Sequence, residues 1–452
     1  MACIRGLGWM ILILSAWLYR SGSVLKNVLL TKTRLPVGYA ANADYTSDCQ
    51  YLGPGEAQED PFNSLAYCED TGFWEHRDSD GKTSSRLVLF SCDPNRKSWN
   101  TVMGPLRDPN PRGALWVYAP TQSGQPASKP QRITLQDYPE DHDFHPLGFE
   151  AWPSYGGNAS NLYVINHARR RTVIEQFLIR PSEPTVATHV RTISSLFFVA
   201  PNGLALTSPD SFYVTNDHLF TRRWPIIGTF VPLIESILGL PLAFVSHITL
   251  NPPHSHKGAI AKHKFAASFL PFPNGVAISE DGKRVAVALS SLAQVRFFER
   301  NPQTNSLKQN LEVVRLPFTP DNVRFTPSIE GPRGSEDLIV GGHPHFPSLS
   351  LLAKGAKDVH SGSWVVSIVP KVKGRLYENN GGKAFDGEAL VSTCDYVDDG
   401  PTYTLKTLFQ SDGSPQGFAT ATTGIRDPET GVLYISGLYD PHGALVCTPK
   451  KP

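Results

Sequence analysis

Charge is scarce in this chain, and neither sign is in excess. Of 452 residues, 42 are Lys or Arg and 41 are Asp or Glu, 18% in all, giving a net charge of +1. No basic stripe stands out, which argues against a nucleic-acid partner. Cysteine is sparse as well: Cys3, Cys49, Cys68, Cys92, Cys394 and Cys447 are scattered with no CxxC pair, which argues against a zinc site. Helical periodicity is rare after residue 40, leaving sandwich, barrel and propeller architectures.

Short strand-like runs fill the chain instead. "RLVLFSC", "NLYVINH", "SFYVTND", "RVAVALS", "QVRFFER", "SWVVSIV", "TYTLKTLFQ" and "GVLYISG" are rich in β-branched and aromatic residues. The 37 Gly and 38 Pro, with Asn and Asp, punctuate them. Repetition selects the architecture. "PNGLALTSPDSFYVTND" from Pro201 and "PNGVAISEDGKRVAVAL" from Pro273 share one plan of loop, Pro-Asn-Gly, strand, turn and strand, and "TPDNVRFTP" from Thr319 is a degenerate third copy. Asn202, Asn274 and Asn322 are 72 and 48 residues apart, which brackets one four-stranded blade of roughly 40–50 residues plus insertions. Residues 40–452 are therefore expected to form one six-bladed β-propeller. Equivalent blade positions face its central channel, so the repeated Asn side chains should converge there.

Two apolar segments break the pattern. Leu7 to Tyr19 follows one Arg and precedes Arg20, so residues 1–35 read as a signal peptide or a signal anchor. No clean cleavage site follows, which favours an anchor. Against that, Arg20, Lys26, Lys32 and Arg34 would hold the far side in the cytoplasm. Cys49 and Cys447 bracket the body, and a disulfide between them would close a ring in an oxidising compartment. The expected location is the secretory pathway: ER-lumenal, membrane-anchored or secreted. Asn158-Ala159-Ser160 is a glycosylation sequon. The segment from about 222 to 250 reads as an apolar insertion, interfacial or substrate-covering, or else as a buried helix. It remains open whether Cys68 and Cys92 pair across their turn-rich segment.

Converging Asn and Asp oxygens suit calcium, which takes six to eight hard oxygen ligands. Glu59, Asn202, Asn274, Asp321 and Asn322 together carry two negative charges, matching one divalent cation. The bland alternative is that these Asn-Gly and Asp-Asn pairs are merely turns.

"FYVTNDHLF", "PNGVAISEDGK", "PDN", "GGHPH" and the C-terminal Cys resemble the serum paraoxonase/arylesterase family of calcium-dependent lactonases, from about Cys49 to Cys447. The resemblance implies a six-bladed propeller closed by a Cys49–Cys447 disulfide. It implies a catalytic calcium on Glu59, Asn202, Asn274, Asp321 and Asn322, with the Gly after Asn202 and after Asn274 letting the backbone turn away. A second, structural calcium would use Asp60 and the Phe149 carbonyl, but its third ligand falls on Gly203, leaving that site doubtful. His218 and His343 match residues near the family site. Of the family's His pair, one falls on His167 and the other on Leu147, which moves no proton. His145, two residues earlier and on the same face of an extended chain, is the substitute.

The expected activity is calcium-dependent hydrolysis of small apolar esters or lactones at a membrane surface. Asp321 is the first candidate for the proton-accepting group, or for a nucleophile, and His167 the second. The alternative is a catalytically inactive, calcium-stabilised propeller that binds a protein or lipid. A soluble sugar lactonase of the gluconolactonase type would lack the apolar leader and insertion.

Overall fold

In the computed structural model, which describes residues 2–25, 35, 37–41, 49–53, 63–110, 112–120, 128–371 and 402–449, six antiparallel-rich sheets follow one another along the chain. Each is a propeller blade. The innermost strands, in order, are Cys68–Arg77, Pro146–Ala151, Pro201–Ser208, Pro273–Ile278, Thr319–Pro327 and Ala421–Arg426. Each touches the next, and the sixth touches the first, so they form a closed ring around the axis.

The ring is closed by both ends of the chain. Ala40–Ala41 forms the outer edge of blade 5, and Cys49–Tyr51 the outer edge of blade 6, antiparallel to Ala444–Cys447. Cys49 lies opposite Cys447 in that register, and the two are disulfide-bonded. Cys68 and Cys92, opposite each other on the first two strands of blade 1, form a second disulfide. Cys394 lies outside the described residues.

Strand residues alternate in direction, and in a propeller both faces of each blade meet a neighbour. The apolar core is accordingly divided into clusters between adjacent blades. Trp74, Leu89, Val164 and Phe177 fill the gap between blades 1 and 2. Tyr213, Val245, Val285 and Val287 do so between blades 3 and 4, and Phe297, Val340 and Trp364 between blades 4 and 5. This explains why the strands read as nearly continuous apolar runs: neither face is wet.

Among the described residues three α-helices lie outside the blades. The first, α1, spans Ala2–Leu25 and lies beside the second, α2, at Ile227–Leu238; α3 is Phe346–Ala353. Among the described residues no helix is long and apolar enough to cross a membrane. The apolar segment expected at 222–250 divides. Only its first part departs from the blades, because Ala243–Leu250 is a buried strand of blade 3 paired with Ser211–Asn216. Helix α2 is amphipathic in the reverse sense. It buries Gly228, Pro232, Glu235 and Ser236, and exposes Phe230 and Ile234.

Candidate active site

The site arises from one repeated backbone position. The second residue of successive inner strands is Glu69, Leu147, Asn202 and Asn274, and in blade 5 Asp321 follows Pro320. All five side chains reach one cavity of about 40 Å³, together with His343, Asn100, Phe272 and Ser290. That volume admits an ion and a water or two.

Glycine makes this convergence possible by close approach rather than by turning. Gly148, Gly203 and Gly275 follow the site positions, and none has positive φ. A Cβ on Gly148 would lie 2.2 Å from the Asn202 carbonyl oxygen, and one on Gly275 would lie 2.6 Å from Asn322 Cα. The inner strands are packed backbone to backbone there.

Each amide is held by its nitrogen so that its oxygen is left over. Asn202 Nδ2 donates to Asp217 Oδ2 at 3.0 Å, and Asn274 Nδ2 donates to Ser290 Oγ at 3.2 Å. The Asn202 and Asn274 Oδ1 atoms are buried without a partner, and so is Glu69 Oε2. Buried acceptors without partners are costly and uncommon. Three around one small cavity that also holds Asp321 constitute a donor set for a hard cation. Among the described residues no three His, Cys, Asp or Glu form a metal cluster, so the neutral amides carry half of this set. Burial, then the charges of Asp70 and Asp321, push the Glu69 carboxyl well above the usual carboxylate range. A cation on its free oxygen would reverse that.

Glu59 and Asp60 lie outside the described residues. The adjacent Glu-Asp pair that the structure brings to the channel is Glu69-Asp70, in the strand "CEDTGFWEHR". Asn322 plays a different part from Asn202 and Asn274: its Nδ2 donates to Glu69 Oε1 at 2.9 Å and to Thr423 Oγ1 at 3.0 Å, fixing the Glu69 carboxylate. Asp321 Oδ2 accepts from His343 Nε2 at 2.9 Å, which leaves the buried His343 Nδ1 without a partner.

His145 and His167 are outside the cavity lining. His145 precedes the inner strand, and its ring is turned back to Asp93 Oδ2 at 2.8 Å and the Pro109 carbonyl at 2.7 Å. Both ring nitrogens are engaged by these partners, so the ring is turned away from the cavity. His167 lies between Thr101 Oγ1 at 2.5 Å and the Pro201 carbonyl at 2.9 Å. Burial pushes its imidazole down to about 3, so it stays neutral. It supports the strand carrying Asn202 and does not face the cavity.

His218 is also off the lining but is wired to it. Its Nδ1 meets Asp217 Oδ1 at 2.8 Å, the same carboxylate that holds Asn202, and its Nε2 meets Ser236 Oγ of α2 at 2.8 Å. Helix α2 is thus tied to a site residue through three side chains. Asn158 is exposed near the Ser154–Tyr155 strand, while Ser160 of its sequon is buried and accepts from Trp74 Nε1 at 3.0 Å.

A second donor set sits one residue deeper. Asp70 and the Phe149 carbonyl are both there, but they are occupied by protein: Arg324 Nη2 donates to Asp70 Oδ2 at 2.7 Å and to the Phe149 carbonyl at 3.2 Å. Gly203 offers no side chain. The residues present do not fit a second metal ion.

Serum paraoxonase/arylesterase 2 of Bos taurus is 27% identical over 52% of this chain and 59% of its own length. Serum paraoxonase/lactonase 3 of Rattus norvegicus is 27% identical over 57% of this chain and 66% of its own. The matched stretch therefore spans under two thirds of these curated relatives. Among solved structures, a luciferin-regenerating enzyme aligns over 88% of this chain and 95% of its own, at 13% identity and a TM-score of 0.42. The family model described as Arylesterase matches residues 109–394, well over half of the chain, and the protein belongs to that family as a divergent member.

Proposed function

We propose that this protein is a calcium-dependent hydrolase of carboxylic esters and lactones. The observation that carries the reading is the trio of unpartnered buried oxygens, Glu69 Oε2, Asn202 Oδ1 and Asn274 Oδ1, around one cavity with Asp321. Those four residues would hold the ion, with Asn322 fixing Glu69. Bound there, calcium supplies polarisation of the substrate carbonyl and stabilisation of the charge that develops on its oxygen.

His343 is the proton-moving group of this reading. With Nε2–H donated to Asp321 Oδ2, Nδ1 is an acceptor without a partner in a residue that lines the cavity. It takes a proton from the attacking water and returns it to the leaving alkoxide. Asp321 orients the imidazole, in place of the base or nucleophile role expected for it. Leu147, Val102, Met103, Phe272 and Leu349 make the rest of the lining apolar, which suits a lipophilic substrate.

An apolar surface at the same end supports work at a membrane. Trp224, Ile226 and Phe230 are exposed on and before α2, and Leu242 and Phe269 flank the Ala243–Leu270 pair. Two disulfides suit the secretory pathway, and residues 1–35 would act there as a signal or anchor.

The test is hydrolysis of phenyl acetate and a long-chain lactone by the full chain, with calcium and then with chelator. Calcium-dependent turnover is expected, abolished in Asn274→Ala and reduced about 100-fold or more in His343→Gln. Turnover that persists in chelator would refute the reading. A second reading is favoured by Leu147, which lines the cavity where a proton-moving group is expected. It is a calcium-stabilised binding propeller, and a calcium-raised melting temperature without turnover on either substrate would establish it.

A further inference from the structure

We propose that the Arg324 guanidinium is the second cation of the channel, a built-in replacement for a structural metal ion. The inference rests on the calcium reading only for the upper position. Arg324 comes from the inner strand of blade 5 and reaches the inner strands of blades 1 and 2. Its Nη2 donates to Asp70 Oδ2 at 2.7 Å and to the Phe149 carbonyl at 3.2 Å. Its Nη1 donates to Glu150 Oε2 at 3.1 Å, and its Nε to the Thr71 carbonyl at 3.4 Å. Two carboxylates and two carbonyls are the donors a hard metal ion takes. Here a planar fork satisfies them, with geometry fixed by the side chain.

The contrast between the two levels of the channel decides the matter. At the upper level Glu69, Asn202 and Asn274 each keep an oxygen free. At the lower level Asp70 has none to spare. Its Oδ1 accepts from the Thr71 amide at 2.9 Å and Thr423 Oγ1 at 3.0 Å, and its Oδ2 from the Phe149 amide at 3.1 Å and Arg324. The neighbouring blade adds no carboxylate, because Gly203 has no side chain and a Cβ there would already lie 3.0 Å from the Asn274 carbonyl oxygen. The level below Arg324 opens into a separate cavity of about 430 Å³ that shares no lining residue with the upper one. The guanidinium therefore pins three blades on the axis and partitions the channel.

Glu69 and Asp321 would balance one divalent ion above; below, Arg324 supplies one positive charge to the carboxylates of Asp70 and Glu150. A further divalent ion at the lower level would have to displace a guanidinium that is only 15% exposed.

Bound calcium per chain should be measured by calorimetric titration and elemental analysis of the purified full chain. One equivalent is expected in the native protein and none in Asn274→Ala. Two equivalents in the native protein would overturn the assignment. None at all would uphold Arg324 as the lower cation while refuting the calcium reading of the upper site. Thermal melts in chelator supply the second arm, with Arg324→Met and the charge-retaining Arg324→Lys. The native chain is expected to keep a cooperative melt without metal, Arg324→Met to lose it, and Arg324→Lys to fall between. An Arg324→Met melt indistinguishable from the native one would show that the guanidinium pins nothing.

Discussion

Replacing Cys49 and Cys447 together by Ala should cost this protein more stability than removing its other disulfide. The reason is the length of chain each bridge closes. Cys49 and Cys447 are 398 residues apart, and Cys68 and Cys92 only 24. Loop-closure entropy gives about 6 kcal/mol for the long loop and about 3.5 kcal/mol for the short one at 25 °C. Strain and residual structure reduce both figures, but the difference of about 2.5 kcal/mol should survive in part. The native state points the same way. Without its bridge, the N-terminal strand is held to blade 6 by three residue pairs, Cys49–Cys447, Gln50–Val446 and Tyr51–Leu445. A ladder that short contributes roughly 1 kcal/mol per net hydrogen bond and must order three residues at about 1–2 kcal/mol each. The Cys68–Cys92 hairpin instead pairs from Cys68 to Arg77 along its whole length. Urea unfolding of the two double-Ala variants, read as free energies with their m-values, makes the comparison. Equal losses, or a larger loss for Cys68/Cys92, would refute the loop-length reasoning.

Three further outcomes are expected. Burial, with Arg300 and two lysines adding to it, pushes the His247 imidazole down to about 4, and His167 lies at about 3. Both are depressed below the unfolded value of roughly 6.5, so the unfolded chain binds more protons, and stability present above pH 6.5 is lost as pH falls. Each should cost about 2 kcal/mol between pH 6.5 and 5, and His247→Gln should remove about half of that slope in urea midpoints; a slope unchanged in the variant contradicts the assignment. Gly148→Ala would put a methyl 2.2 Å from the Asn202 carbonyl oxygen. A loss of about 2–3 kcal/mol is expected, with calcium affinity falling too, and titration calorimetry that finds native affinity would show that the strands can separate freely. Arg426 Nη2 pairs with Asp337 Oδ2 where both side chains are under 5% exposed. Arg426→Met should destabilise by about 3–5 kcal/mol by stranding Asp337, and Arg426→Met/Asp337→Leu should recover most of it; no recovery in thermal melts would place the cost elsewhere.

The propeller was legible because its repeat recurs in sequence. Pro201-Asn202-Gly203 and Pro273-Asn274-Gly275 open inner strands in neighbouring blades, so equal strand position became equal channel position. The carboxylate partner was harder. Glu59-Asp60 and Glu69-Asp70 are two such pairs ten residues apart, and spacing from Cys49 does not choose between them. The signal was in the flanks: "CEDTGFWEHR" and "RLVLFSC" straddle the Asp80-Gly81 turn and can form an inner hairpin, whereas the first pair follows Pro54 and Gly55. His145 shows the limit of face arguments. It stands one residue before its strand begins, so alternation with Leu147 does not reach it, and the buried Asp93 takes its ring instead. Arg324 had no sequence signal, because nothing local to "NVRF" indicates which carboxylates lie across the axis.

The Cys49–Cys447 bridge makes the covalent body a loop, and that changes what a single proteolytic cut means. One nick anywhere between these cysteines releases no fragment. It adds two new chain ends, and the bridge still holds both pieces in one molecule. Such a species would migrate as a single band without reductant and as two with it. Complete separation of the pieces takes a cut and a reduction, two chemically unrelated events.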